Sequence, residues 1–173
     1  MIPRFDESFR EHEEGHLSLA SAYFVPSRIS SMGISPYLRG LARVPLEATD
    51  QMVVDEVRNM LFGPPGAGGL DLAALNIQRG RDHGLGSYNA VRRELGLAAA
   101  LGFSDITSDT AVASALSTAY QGDIEAVDLW VGGMAEDHLA GAILGETFHW
   151  LWVDQFRRLR DGDPNWFENE DSI

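Results

Sequence analysis

Cysteine is absent from the 173 residues, which excludes disulfide staples, thiolate chemistry and cysteine-built zinc sites. No uninterrupted apolar run reaches about 20 residues, so no segment reads as a membrane-spanning helix. Met1-Ile2-Pro3-Arg4-Phe5-Asp6 has neither the basic start nor the apolar stretch of a secretory leader. Cations are in deficit: 13 Lys and Arg face 26 Asp and Glu, for a net charge of -13 and a pI near 4.6. A nucleic-acid partner rewards the opposite balance, which argues against that class of function. Strict alternation of apolar and polar residues is also missing, so the chain reads as all-α. What is present is a 45 % apolar content, enough for one domain with a core of its own.

Residues 1–16, with four glutamates and two histidines, show no period and read as an irregular surface segment. His12 and His16 are four apart and would share a helix face as metal ligands, but Gly15 and the nearby acids favour a loop with solvated imidazoles. Ser18 suits the cap of a short helix over 19–24, ended at Val25-Pro26. A turn through Gly33 and Pro36 leads into a helical piece at 37–41, with Arg39 expected in solvent or a salt bridge. Thr49 or Asp50 suits the N-cap of a helix over 51–62, which the Gly/Pro stretch 63–69 ends.

Ser87 caps a helix through Leu95 that Gly96 stops, and Arg92 and Arg93 complement its dipole. Asp105 or Thr107 is expected to open a helix reaching Gln121, and Asp123 one over 124–131 ended by Gly132-Gly133. The longest helical signal runs from His138 to Arg160, about 35 Å at ~1.5 Å per residue. Its middle, 143–153, is apolar on most sides, as in a helix buried within a larger protein. Trp150 and Trp152 are expected in a core there, Gly141 and Gly145 to admit a neighbouring backbone, and Trp166 and Phe167 to pack back. His83, His138 and His149 read as packed or solvated residues rather than ligands.

The stretch Leu70–Leu97, LDLAALNIQRGRDHGLGSYNAVRRELGL, organises the chain. Within eight positions it holds Asn76, Gln78, Arg79, Arg81, Asp82 and His83. If 70–77 is a buried short helix, Asn76 is carried inward, where an unpaired amide costs about 1–3 kcal/mol. Arg79 and Arg81 flank Gly80 and offer guanidinium forks to carboxylates. Two readings stand: an internal network of Arg79 or Arg81 with Asp82 or Asp71, or an anionic ligand docked on the arginines.

This stretch closely resembles the segment that follows the proximal-histidine region in the animal-type haem peroxidases. SLASAYFVPSRISSMGISPYLRGL (18–41), DLWVGGMAED (128–137) and QFRRLRDGDPNWFEN (155–169) resemble further segments of that family, in the same order. The resemblance implies the C-terminal, proximal-side portion of a mainly helical peroxidase domain, over residues 1–173, and the lack of cysteine suggests the bacterial branch. It implies haem as cofactor, with Asn76 hydrogen-bonding the proximal histidine's far nitrogen and Arg79 pairing with a haem propionate. Arg81, Asp82 and His83 take scaffold roles.

The family's proximal histidine, distal histidine and catalytic arginine have no match here; Gly15-His16 aligns better with a later segment. No catalytic residue and no metal ligand is therefore assigned within the chain. The expected function is that of a peroxidase fragment, inactive alone, whose parent reduces hydrogen peroxide while oxidising halide or organic donors. Its expected partners are haem, peroxide, a small-molecule donor and the N-terminal half of the domain, and family habit implies an extracellular setting. The alternative is a haem-free helical module that keeps the fold as a binding or structural domain.

Overall fold

The computed structural model describes residues 1–23, 25–59 and 70–168. Among these the fold is all-α, with nine α-helices, two 3₁₀ turns and three isolated bridges but no strand. None of the described helices is long and apolar enough to cross a membrane. The residues form two compact units, 1–48 with 53–73, and 49–52 with 74–173.

In the first unit, Ile2 and Leu17 exchange backbone hydrogen bonds at 2.6 and 3.0 Å, closing residues 3–16 into a loop. Arg4 is 1 % exposed, so this segment is more than surface. Its Nε donates to the Gly15 carbonyl at 2.8 Å and its Nη2 to the Glu14 carbonyl at 2.9 Å. His16 is not a solvated imidazole: Nδ1 accepts the Arg4 N–H at 3.1 Å and the ring leans on Phe5. His12 Nδ1 accepts the Glu14 N–H, so the two histidines serve a loop and share no helix face.

α1 (Leu19–Ala22) follows, with the Ser18 side chain accepting from Ser21 N–H as expected of a cap. α2 (Ser27–Met32) lies where no helix is expected, and α3 (Ser35–Arg43) starts earlier than 37 because Pro36 sits in its first turn, where no donor is needed. Arg39 Nε donates to the Phe5 carbonyl at 3.0 Å, a structural use. α4 (Asp55–Asn59) starts later than expected, since the Asp50 carboxylate closes a local turn on Met52 N–H at 2.7 Å instead of capping a helix. The expected connection at 63–69, the helix's last residues 60–62, Phe24 and Asn169 lie outside the described residues.

The second unit holds most of the buried apolar residues: Tyr88, Ala100, Ile106, Leu116, Val127, Leu129 and Ala135 form one cluster. α5 (Leu72–Asp82), most of which lies in this unit, is followed by α6 (Tyr88–Glu94), capped as expected by Ser87. Gly96 past its end adopts φ +74°, the left-handed region in which glycine is least strained. α7 (Thr110–Ala119) is capped by Asp109, not by Asp105 or Thr107. Asp105 instead closes the 3₁₀ turn Phe103–Asp105 by accepting from Leu101 and Gly102 N–H.

α8 (Leu129–Ala135) corrects the reading of Gly132-Gly133 as a helix stop: both lie inside it. A Cβ on Gly132 would overlap the Tyr88 ring, and one on Gly133 the Phe148 ring. Close packing therefore outweighs glycine's poor helix propensity of about 1 kcal/mol. α9 (Glu146–Gly162) has 17 residues rather than a span from 138. Before it, the chain turns through Gly141 at φ +77°, and Gly145 is the N-cap rather than a mid-helix notch. Trp152, Phe156 and Leu159 are exposed on α9, as is Phe167 beyond it, so Trp152 is no core residue and Phe167 does not pack back.

Candidate functional site

α5 carries the polar stretch, and its ending explains part of that composition. Gly84 N–H donates to Arg81 carbonyl at 3.0 Å and Leu85 N–H to Gly80 carbonyl at 2.9 Å, a paired closure that satisfies the last carbonyls. His83 Nδ1 lies 2.9 Å from the Arg79 carbonyl, and Gln78 Nε2 donates to Asp82 at 2.7 Å, one turn on. Those three residues are spent on the helix itself.

None of α5 is fully buried, so Asn76 is not carried into the core; it is half-buried. It lines a recess of about 240 Å³ together with Ile77, Gly80, Ser87, Asp128 and Trp130. That volume falls below the range of drug-sized ligand pockets and suits a single side chain. Asn76 and Arg79 are three apart, hence on neighbouring positions of one helix face.

The two arginines beside Gly80 part company. Arg81 forks onto Asp128, with Nε at 2.9 Å and Nη2 at 2.7 Å, so its partner is neither Asp82 nor Asp71. The Tyr120 hydroxyl also donates to Asp128, at 2.8 Å. The Arg81 fork holds the Asp128 carboxyl below the usual carboxylate range, while burial pushes the Tyr120 phenol up to about 12. Arg79 has no carboxylate partner among the described residues, and the Asn76 amide accepts and donates no hydrogen bond among them.

A haem site of the kind the resemblance implies would ask for two things: a polar group to orient the ring that ligates the iron, and a fixed cation for a propionate. An unused amide at a side-chain-sized recess and an unpaired guanidinium on the same face fit both.

A second charged cluster went unread in the sequence. Arg92, 8 % exposed, donates through Nη1 to Glu136 at 3.0 Å and Thr147 at 2.8 Å, and through Nη2 to Glu146 at 2.6 Å. Its Nε donates to the Ala98 carbonyl at 2.6 Å. The Tyr88 hydroxyl donates to Glu136 at 2.6 Å; burial, then that bond, raises the phenol well above its ordinary value. Glu136 also accepts the Thr147 N–H at 2.8 Å, which supplies α9 with the first-turn partner that Gly145 cannot. Every donor here has a partner inside the fold, so the cluster is architecture. Only its long sequence separations hid it: nothing local marks Arg92 as a partner of Glu136.

Among the described residues no group of three His, Cys, Asp or Glu side chains could hold a metal ion. His138 Nε2 lies 2.6 Å from the Thr49 carbonyl and His149 is exposed, consistent with packed or solvated roles.

A family model described as animal haem peroxidase matches residues 1–173. Peroxinectin A of Dictyostelium discoideum is 44 % identical over 152 residues, covering 88 % of this chain and 28 % of its own length. Thyroid peroxidase of Sus scrofa is 41 % identical over 175 residues, covering 98 % of this chain and 19 % of its own. Among solved structures, peroxidase A from Dictyostelium discoideum matches with a TM-score of 0.92 and 40 % identity, over 99 % of this chain and 33 % of that one. A fatty acid alpha-dioxygenase of Arabidopsis thaliana matches with a TM-score of 0.71 and 26 % identity, over 82 % of this chain and 23 % of that one. The chain thus spans under a third of the curated relatives' length, 28 % and 19 % in the two cases. With the matched model running the whole length and the helical fold agreeing, the chain belongs to the animal haem peroxidase family.

Proposed function

We propose that this chain supplies proximal-side haem contacts in a peroxidase that reduces hydrogen peroxide while oxidising halide or organic donors. The observation that carries the reading is the pairing of an unused Asn76 amide at the recess with the unpaired Arg79 one helical turn away. Haem, when bound, supplies the redox iron for that reaction.

In this reading the Asn76 amide oxygen accepts the outer N–H of the imidazole that ligates the iron, fixing its tautomer and orientation. Arg79 meets a propionate with a planar, permanently charged fork. Neither residue moves a proton in turnover. The imidazole ligand and the groups that assist O–O cleavage come from polypeptide outside this chain, and the chain alone is inactive. An extracellular setting is part of the same proposal and rests on the family alone.

Titration of the purified chain with hemin in excess imidazole, which stands in for the ligand outside the chain, followed by Soret absorbance against hemin and imidazole alone, tests this. The expected result is a saturable Soret shift that Asn76→Ala and Arg79→Ala each weaken, with no donor oxidation above that of free hemin. No shift in the wild-type chain favours instead a haem-free helical module, whose exposed Trp152, Phe156 and Leu159 would then serve a protein partner.

A further inference from the structure

Asp128 occupies a backbone position that the core grips closely. Ser87 and Asp128 form an isolated antiparallel bridge, and Tyr88 N–H donates to the Val127 carbonyl at 2.8 Å. Val127 and Tyr88 are 0 % and 1 % exposed, so this backbone has little freedom. From it the carboxylate reaches α5, a helix with no fully buried residue and therefore little packing to hold it in place. The reach is the two-pronged fork to Arg81, 47 residues away in sequence, and Tyr120 braces the same carboxylate from a third direction. Asn76, Arg81 and Asp128 all line the one recess.

We propose that Asp128, acting through Arg81, is a positioning residue: it locks α5 to the core so that the Asn76 amide stays presented at the recess. This rests on the assignment of Asn76 under Proposed function. The fork is the right device for the task, because two parallel N–H···O bonds fix direction as well as distance, which one bond or a lysine ammonium does not. The Arg81 side chain is 58 % exposed, and a pair so open to water adds little to folding free energy. Its effect is therefore expected in where α5 sits more than in whether the chain folds.

The test measures haem affinity by Soret titration, with excess imidazole standing in for the ligand outside the chain, in four chains: wild type, Asn76→Ala, Asp128→Asn and the double variant. Each single substitution is expected to weaken binding about tenfold or more. The double variant is expected to be little weaker than Asn76→Ala alone, since Asp128 acts through Asn76, and Asp128→Glu should recover part of the affinity. Amide hydrogen exchange without haem gives an independent readout: Asp128→Asn should speed exchange across Ala74–Asp82 and leave Tyr88–Glu94 unchanged. Should Asp128→Asn fail to fold, Arg81→Ala carries the same two expectations from the solvent-facing side.

Additive losses in the double variant, or exchange that rises equally in both helices, would overturn the positioning role. If Asn76→Ala weakens haem and Asp128→Asn does not, the positioning role alone falls. If Asn76→Ala changes nothing, or the wild type shows no Soret shift, the assignment of Asn76 falls and this inference with it.

Discussion

Arg79 and Arg92 lie thirteen positions apart in one motif, and their environments differ sharply. Arg92 is buried and makes four donor contacts within the fold, to Ala98, Glu136, Thr147 and Glu146. Burial works against its charge, and the Glu146 hydrogen bond with the surrounding acids more than restores it. Arg79 is exposed on α5 and has no carboxylate partner among the described residues. A buried guanidinium must be satisfied internally or the fold does not form; an exposed one is satisfied by water and stays available for a ligand. The difference separates an arginine that builds the protein from one whose charge the described fold does not use.

The comparison breaks most visibly at Arg92. Arg92→Ala leaves the buried Glu136 carboxylate without its cation, and urea denaturation should show a loss of about 3–5 kcal/mol. A loss under about 1 kcal/mol would mean that water reaches Glu136 and that the cluster is not architecture.

Next in size is the packing around that cluster. Gly132→Ala forces a methyl into the Tyr88 ring that bonds Glu136 and should cost about 1–3 kcal/mol. Gly162→Ala, at the open end of α9 where a Cβ meets nothing, should be neutral or stabilise by about 0.4–1 kcal/mol. Thermal melts of the two variants give the contrast directly.

Smaller still is the pH dependence of the Arg81–Asp128–Tyr120 group. Tyr120 is raised from its ordinary 10.0 to about 12, so its folded state prefers the protonated phenol. That contribution is complete below pH 10 and is lost as pH rises through about 12. Tyr120→Phe should remove this alkaline step from the stability profile. Asp128 has the opposite sign: held below 3.8, it contributes above that pH and loses its contribution as pH falls through the lower folded value. Asp128→Asn should remove the acid step and leave the alkaline one smaller.

The smallest effect sharpens the contrast. Arg79→Ala should leave folding stability within about 0.5 kcal/mol of wild type while weakening haem in the Soret titration. Destabilisation on the scale expected of Arg92→Ala would show that Arg79 has a structural partner after all.

Helix caps and stops were readable where one residue acts on its own neighbours. Ser18 and Ser87 cap the helices that follow them, and Gly96 ends α6. The polar crowding around Asn76 and Arg79 was likewise visible, because unpaired polar groups on a helix stand out against an apolar repeat. Local signals misled where a distant group took over. Gly132-Gly133 reads as a stop until Tyr88 and Phe148 are laid on it. The start of α9 moves to Glu146 because the Glu136 carboxylate, ten residues earlier, binds the Thr147 N–H.

By itself the sequence determined an all-α chain, the family pattern in its motifs and the polar crowding around Asn76 and Arg79, since these depend on residue type and short spacing. Only the tertiary structure decided which of two neighbouring arginines was already engaged. Arg81 meets Asp128 across 47 residues, and a contact of that reach exists only once the chain has folded around it.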